Sequence, residues 1–94
     1  MITRIVKLTF YPENVDAFRK IFNESQHLIR GFTGCMHVEL LNDKKNTHIF
    51  FTRSIWNTEH DLEHYRNSDM FKTTWAETKR LFSEKAEAWT LVNV

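Results

Sequence analysis

Ile2, Val6, Leu8 and Phe10 fall on one parity and Thr3, Lys7 and Thr9 on the other, which predicts a half-buried strand over residues 2–10. Pro12 suits the first turn of a helix, and Glu13 complements its N-terminal dipole. Val15, Phe18, Phe22, Ser25 and Ile29 then recur at spacings of three and four, with Ile21 and Leu28 widening the stripe. Arg30 and Gly31 close this amphipathic helix. Residues 35–41 read as a second strand and 47–56 as a third, joined by the polar turn Asn42-Asp43-Lys44-Lys45-Asn46.

Thr58 followed by Asp61 forms a capping-box pattern, opening a short helix with Leu62 and Tyr65 on its inner side. Ser68 caps a further helix whose inner stripe is Phe71, Trp75 and Phe82, and residues 88–92 form a last strand. The order β-α-β-β-α(α)-β is the split βαβ, ferredoxin-like α+β pattern, read as one unit over residues 1–94.

An antiparallel sheet covered by helices on one face should alternate cleanly. Only the first strand does. The third carries Phe50 and Trp56 on one parity but Ile49, Phe51 and Ile55 on the other. The second sets Met36, Val38 and Leu40 against Cys35 and Leu41, and the last sets Trp89 and Leu91 against Ala88 and Val92. The helices can cover one face only. The expected cover for the second is another copy of the same sheet, a two-fold homodimer in which Lys7, His37, Glu39 and Arg53 pair across or within the interface.

Composition narrows the class of function. Thirteen Lys+Arg against 12 Asp+Glu leave a net charge of +1, without the basic excess of a phosphate-neutralising nucleic-acid binder. No apolar run reaches the ~20 residues of a membrane span, and MITRIVKLTF lacks the layout of a signal peptide. Cys35 is the only cysteine, so a reducing, cytoplasmic setting is expected. Aromatic residues make up 14% of 94 residues, too many rings for so small a core alone. They point to an interface or to the lining of an apolar cavity.

With Tyr11-Pro12-Glu13 before the first helix, Gly31-Phe32-Thr33-Gly34-Cys35 entering the second strand and Trp56 ending the third, the chain resembles the antibiotic biosynthesis monooxygenase (ABM) domain family. Leu62, Tyr65, Ser68, Phe71, Trp75 and Ala88-Trp89 continue the likeness. The resemblance implies a dimeric α+β barrel with a pocket in each subunit between sheet and helices. Some members oxidise aromatic phenols with molecular oxygen and neither metal nor flavin, some degrade haem and some act on quinols, so the fold supports a site and not one chemistry.

Individual motifs divide these possibilities. His60-Asp61-Leu62-Glu63-His64 matches an H-x-x-E-H zinc pattern, but the two histidines lie roughly 150° around the helix from Leu62 and Tyr65, so they face water. Haem-degrading members resemble one another in an Asn on the first strand, a Trp ending the third and a His on the next helix. Here Trp56 fits, the first strand has no Asn, and Tyr65-Arg66 occupy the expected histidine region. Cys35 has no His or helix N-terminus beside it to activate it and reads as a small core residue. No glycine-rich phosphate loop or nucleophile elbow is present, so no cofactor is expected.

The remaining candidate is an aromatic pocket for a small planar ligand. Trp56, Phe71, Trp75, Phe50 and Thr52 are its expected substrate-binding residues, and Tyr65 and His48 its expected catalytic pair, with Ser54 a further polar handle. Tyr65 is a poor base, since an unperturbed tyrosine titrates near ~10, and a neutral His48 would serve better if it pointed inward. The expected function is cofactor-independent monooxygenation of a small phenol or quinol. The rival is a non-catalytic dimer that binds a small apolar ligand or serves as a stress-response accessory.

Overall fold

Strands β1 (Ile2–Thr9), β2 (Cys35–Asn42), β3 (Ile49–Trp56) and β4 (Glu87–Val92) pair into one antiparallel sheet of order β2-β3-β1-β4. The computed structural model describes residues 1–94. Helices α1 (Val15–Arg30), α2 (Glu59–Arg66) and α3 (Asp69–Lys79) bring their inner side chains onto one face of the sheet, giving the α+β ferredoxin-like arrangement. That face takes the even positions of β1 and β3. Leu8, Phe50 and Trp56 pack there with Phe18, Phe22 and Ile29 of α1, Val38 of β2 and Leu62 of α2.

Local chemistry sets the helix boundaries. A short 3-10 turn at Pro12–Asn14 precedes α1, which therefore starts at Val15. The hydroxyl of Thr58 accepts from the Asp61 backbone N–H at 3.1 Å, and that of Ser68 accepts from Phe71 N–H at 3.1 Å, so both expected caps form. Gly34, at φ 83°, makes the turn into β2, and its carbonyl accepts from Asn57 N–H at 2.7 Å, tying this turn to the end of β3.

Four elements differ from the sequence pattern. A bulge between Cys35 and His37 breaks the alternation of β2, so Cys35 packs against the core while Met36 turns outward instead of joining Val38 and Leu40. β1 ends at Thr9, and Phe10 continues only as an isolated bridge to Phe82. Phe82 accordingly lies beyond α3, and Thr78 is the wholly enclosed residue of that helix. β3 begins at Ile49, with Thr47 and His48 in the preceding turn.

The opposite face of the sheet is the one no helix reaches. Cross-strand pairing puts Ile5 beside Arg53 and Trp89, and Lys7 beside Phe51 and Glu87. Trp89 is 42% exposed and Leu91 48%, values that leave two large apolar side chains of β4 substantially in water. Its charged residues pair among themselves. Glu39 accepts from His37 at 2.8 Å and lies 3.6 Å from Arg53, while Lys7 stands 3.8 Å from Glu87. The His37 hydrogen bond holds the Glu39 carboxyl below the usual carboxylate range. No helix is long and apolar enough to cross a membrane.

Candidate functional site

The helix-facing side of the sheet is large at its ends and, Arg4 apart, small in the middle. Along β3 the inward residues run Phe50, Thr52, Ser54, Trp56, and their β1 neighbours run Leu8, Val6, Arg4, Ile2. β4 adds Ala88 beside Val6 and Thr90 beside Arg4. The bulky pairs support the helices at both ends of the sheet, and the short central side chains cannot reach them. The result is a cavity of about 260 Å³ floored by Val6, Thr52, Ser54 and Ala88 and roofed by Ile21, Phe22 and Ser25 of α1.

Aromatic rings wall it. Tyr65 of α2 stacks on Trp56, and Phe71 meets Tyr65 edge-on at 5.0 Å. Phe71 stacks in turn on Trp75 at 5.9 Å and 11°, and Trp75 meets the edge of Phe82. Such stacked and edge-to-face contacts fix ring orientations beyond what burial alone would do.

Most polar atoms in the wall are already satisfied. The Ser25 hydroxyl donates to the Ile21 carbonyl at 2.8 Å, Thr78 donates to the Thr74 carbonyl at 2.8 Å, and the Ser54 oxygen accepts from the Trp56 indole at 2.9 Å. Tyr65 differs. Its side chain enters no hydrogen bond within the chain, and since no wholly buried polar atom is left unpaired, its hydroxyl retains some accessible surface beside the cavity that Tyr65 lines. Burial, with a smaller contribution from nearby Cys35, pushes its pKa far above the ordinary tyrosine value. At neutral pH Tyr65 is a hydrogen-bond donor and not a base. Burial likewise raises the Cys35 thiol, which keeps it protonated.

Two guanidinium groups complete the lining. Arg4 rises from the sheet floor and donates through Nη1 to the Thr90 hydroxyl at 2.7 Å. Arg66, one residue beyond Tyr65 on α2, pairs with Glu63 at 3.0 Å. Burial and then the charge of Arg66 lower the Arg4 pKa, with Glu63 acting in the opposite sense.

The structure brings Thr52, Tyr65, Phe71 and Trp75 together around the cavity, with Ser54 beside them. Trp56 and Phe50 stand behind its wall, both buried, Trp56 against Tyr65 and Phe50 against Phe10 and Phe18. His48 is elsewhere. It lines a shallow hollow with Asp16 and Arg19 at the opposite end of β3 from Tyr65, a strand length of roughly 25 Å at ~3.3 Å per residue. His60 and His64 are exposed on α2, and no three His, Cys, Asp or Glu side chains cluster as a metal site would. Sequence reasoning missed Arg4 and Arg66. The signal for Arg4 was an arginine on the inward parity of β1.

The fold and cavity together define a class: a small α+β sandwich holding a partly open, aromatic-walled site between its single sheet and its helices. Residues 1–77 match the family model described as antibiotic biosynthesis monooxygenase, and the chain belongs to that family. No curated protein matches it in sequence. Among solved structures it is similar to an antibiotic biosynthesis monooxygenase at TM-score 0.94 and 17% identity, covering 100% of this chain and 99% of the other. A conserved protein from Methanosarcina mazei Go1 superposes at 0.91 with 21% identity, covering 97% and 91%. Rv0793 from Mycobacterium tuberculosis does so at 0.91 with 15% identity, covering 99% and 94%. At these identities the likeness is one of fold.

Proposed function

We propose that the chain is a cofactor-independent monooxygenase acting on a small aromatic phenol or quinol, and that it works as a homodimer. The observation that carries this reading is an aromatic-walled cavity of about 260 Å³ lined by a Tyr65 that burial keeps neutral and that has no hydrogen bond within the chain. An apolar cavity of about 150 Å³ accepts a benzene ring, so this one has room for a ring system of one or two fused rings. The aromatic walls hold the ring plane, and Thr52 and Tyr65 address its polar substituents.

A phenol reacts with oxygen most readily once ionised. The Tyr65 hydroxyl, donating to the substrate oxygen, favours the phenolate in a site of low dielectric. Electrons then pass from the ring to oxygen. One oxygen atom becomes the new carbonyl of a quinone, the other leaves as water, and the substrate supplies all four electrons and both protons. The outer sheet face supports the homodimer: Trp89 and Leu91 stand largely exposed there, beside the part-buried Phe51, with no helix over them.

One observation favours a second reading, a ligand-binding module without turnover. No carboxylate or imidazole lines the cavity, so the substrate proton must leave to solvent. Oxygen uptake with naphthol as probe separates the two. Uptake with quinone formation, reduced in Tyr65→Phe, supports the enzyme; thermal stabilisation by naphthol without uptake supports the binding module.

A further inference from the structure

Arg4, Lys7 and Arg53 are the only Lys or Arg residues of the chain that are not exposed. Of these three, Lys7 and Arg53 each have a carboxylate within 4 Å, whereas the half-buried Arg4 has only the Thr90 hydroxyl. Its charge is offset only by the more distant Glu63, which is itself bound to Arg66. Arg4 and Arg66 line the same cavity as Tyr65, so two guanidinium groups and one carboxylate leave a local charge of about +1 beside an apolar, aromatic chamber. Burial disfavours the Arg4 charge, the nearby and exposed Arg66 disfavours it further, and an anion held between the two guanidinium groups relieves that cost.

We propose that Arg4 and Arg66 form the anion-binding end of the cavity, so that its ligand is a planar aromatic monocarboxylate whose ring lies against Tyr65, Phe71 and Trp75. This rests on the reading of the cavity as an aromatic site. The planar fork of an arginine matches a carboxylate in geometry. The single residual positive charge matches a monoanion better than a phosphate dianion. Arg4 would hold the carboxylate from the sheet side and Arg66 from the helix side, leaving the Tyr65 hydroxyl for a phenolic oxygen elsewhere on the ring.

The test is calorimetric titration of the full chain with two matched probes at neutral pH and low salt, naphthol and the corresponding hydroxynaphthoate. The carboxylate should bind at least ~tenfold more tightly, as a charge-assisted hydrogen bond warrants, and added salt should erode only that preference. Arg4→Gln should bring the ratio of the two affinities down toward one, and Arg4→Lys should restore part of it. Equal affinities in the unaltered protein would overturn the anion assignment while leaving the aromatic cavity intact. Binding of neither probe would overturn both. A preference that survives in both Arg4→Gln and Arg66→Gln would show that the anion is held elsewhere. Should Arg4→Gln fail to fold, Arg66→Gln and the unaltered protein's probe ratio still decide the question.

Discussion

Trp56 and Tyr65 lie face to face, with ring centroids 5.0 Å apart and planes inclined by 23°. Trp56 ends β3 and is fully enclosed, its indole N–H anchored on Ser54. Tyr65 sits on α2 and turns toward the cavity. The tryptophan thus serves as the backing against which the one uncommitted hydroxyl of the aromatic wall is held. Their separate roles give separable consequences.

Removing the backing should unfold more than it inactivates. Trp56→Ala should cost roughly 3–5 kcal/mol, the usual loss for a buried large aromatic, measured by urea denaturation. Tyr65→Phe should change stability by less than ~1 kcal/mol, because its hydroxyl has no partner in the chain to lose. If Tyr65 donates to the reacting oxygen, turnover should nevertheless fall by roughly 100-fold.

Alkaline pH should reveal the same hydroxyl. Tyr65 has a folded-state pKa raised above its unfolded value of ~10, so the unfolded chain gives up this proton first. Its contribution to stability is therefore complete below pH ~10 and declines as pH rises toward the folded-state pKa. The melting temperature of the unaltered protein should fall more steeply above pH ~10 than that of Tyr65→Phe. Parallel curves would mean that Tyr65 is solvated.

The turn into β2 offers a purely structural test. Gly34 adopts a positive φ, and a Cβ there would run into the Asp61 side chain at the start of α2. Gly34→Ala should cost at least ~1–3 kcal/mol by thermal or urea melt. An unchanged melt would contradict the tight seating of α2 beside this turn.

The outer sheet face leads to a prediction about assembly. Light scattering should find twice the chain mass, and Trp89→Glu or Phe51→Glu should shift it toward the monomer while far-ultraviolet circular dichroism persists. A monomer in the unaltered protein would contradict the proposed homodimer.

The strand and helix order was legible because hydrophobic period and capping residues agreed; Thr58 and Ser68 cap as their sequence spacing implies. The cavity was legible in part. The inward run Phe50, Thr52, Ser54, Trp56 has small residues between large ones, which is the physical cause of the hollow, yet reading aromatics alone assigned Phe50 and Trp56 to the lining. The bulge at Cys35/His37 left no mark in the alternation of Met36, Val38 and Leu40. His48 precedes β3 and Tyr65 packs on Trp56 at the strand's other end, so the two stand a strand length apart whichever way the imidazole points. Arg4 stands on the inward parity of β1, but its neighbours on α2 are distant in sequence, and such long-range packing has no local period.

Backbone amide shifts during titration with naphthol address the central claim most directly. The account predicts saturable shifts confined to the cavity, at Val6, Thr52, Ser54, Tyr65 and Trp75. Shifts confined to the outer sheet face, at Ile5, Phe51 and Trp89, or none at all, would contradict it.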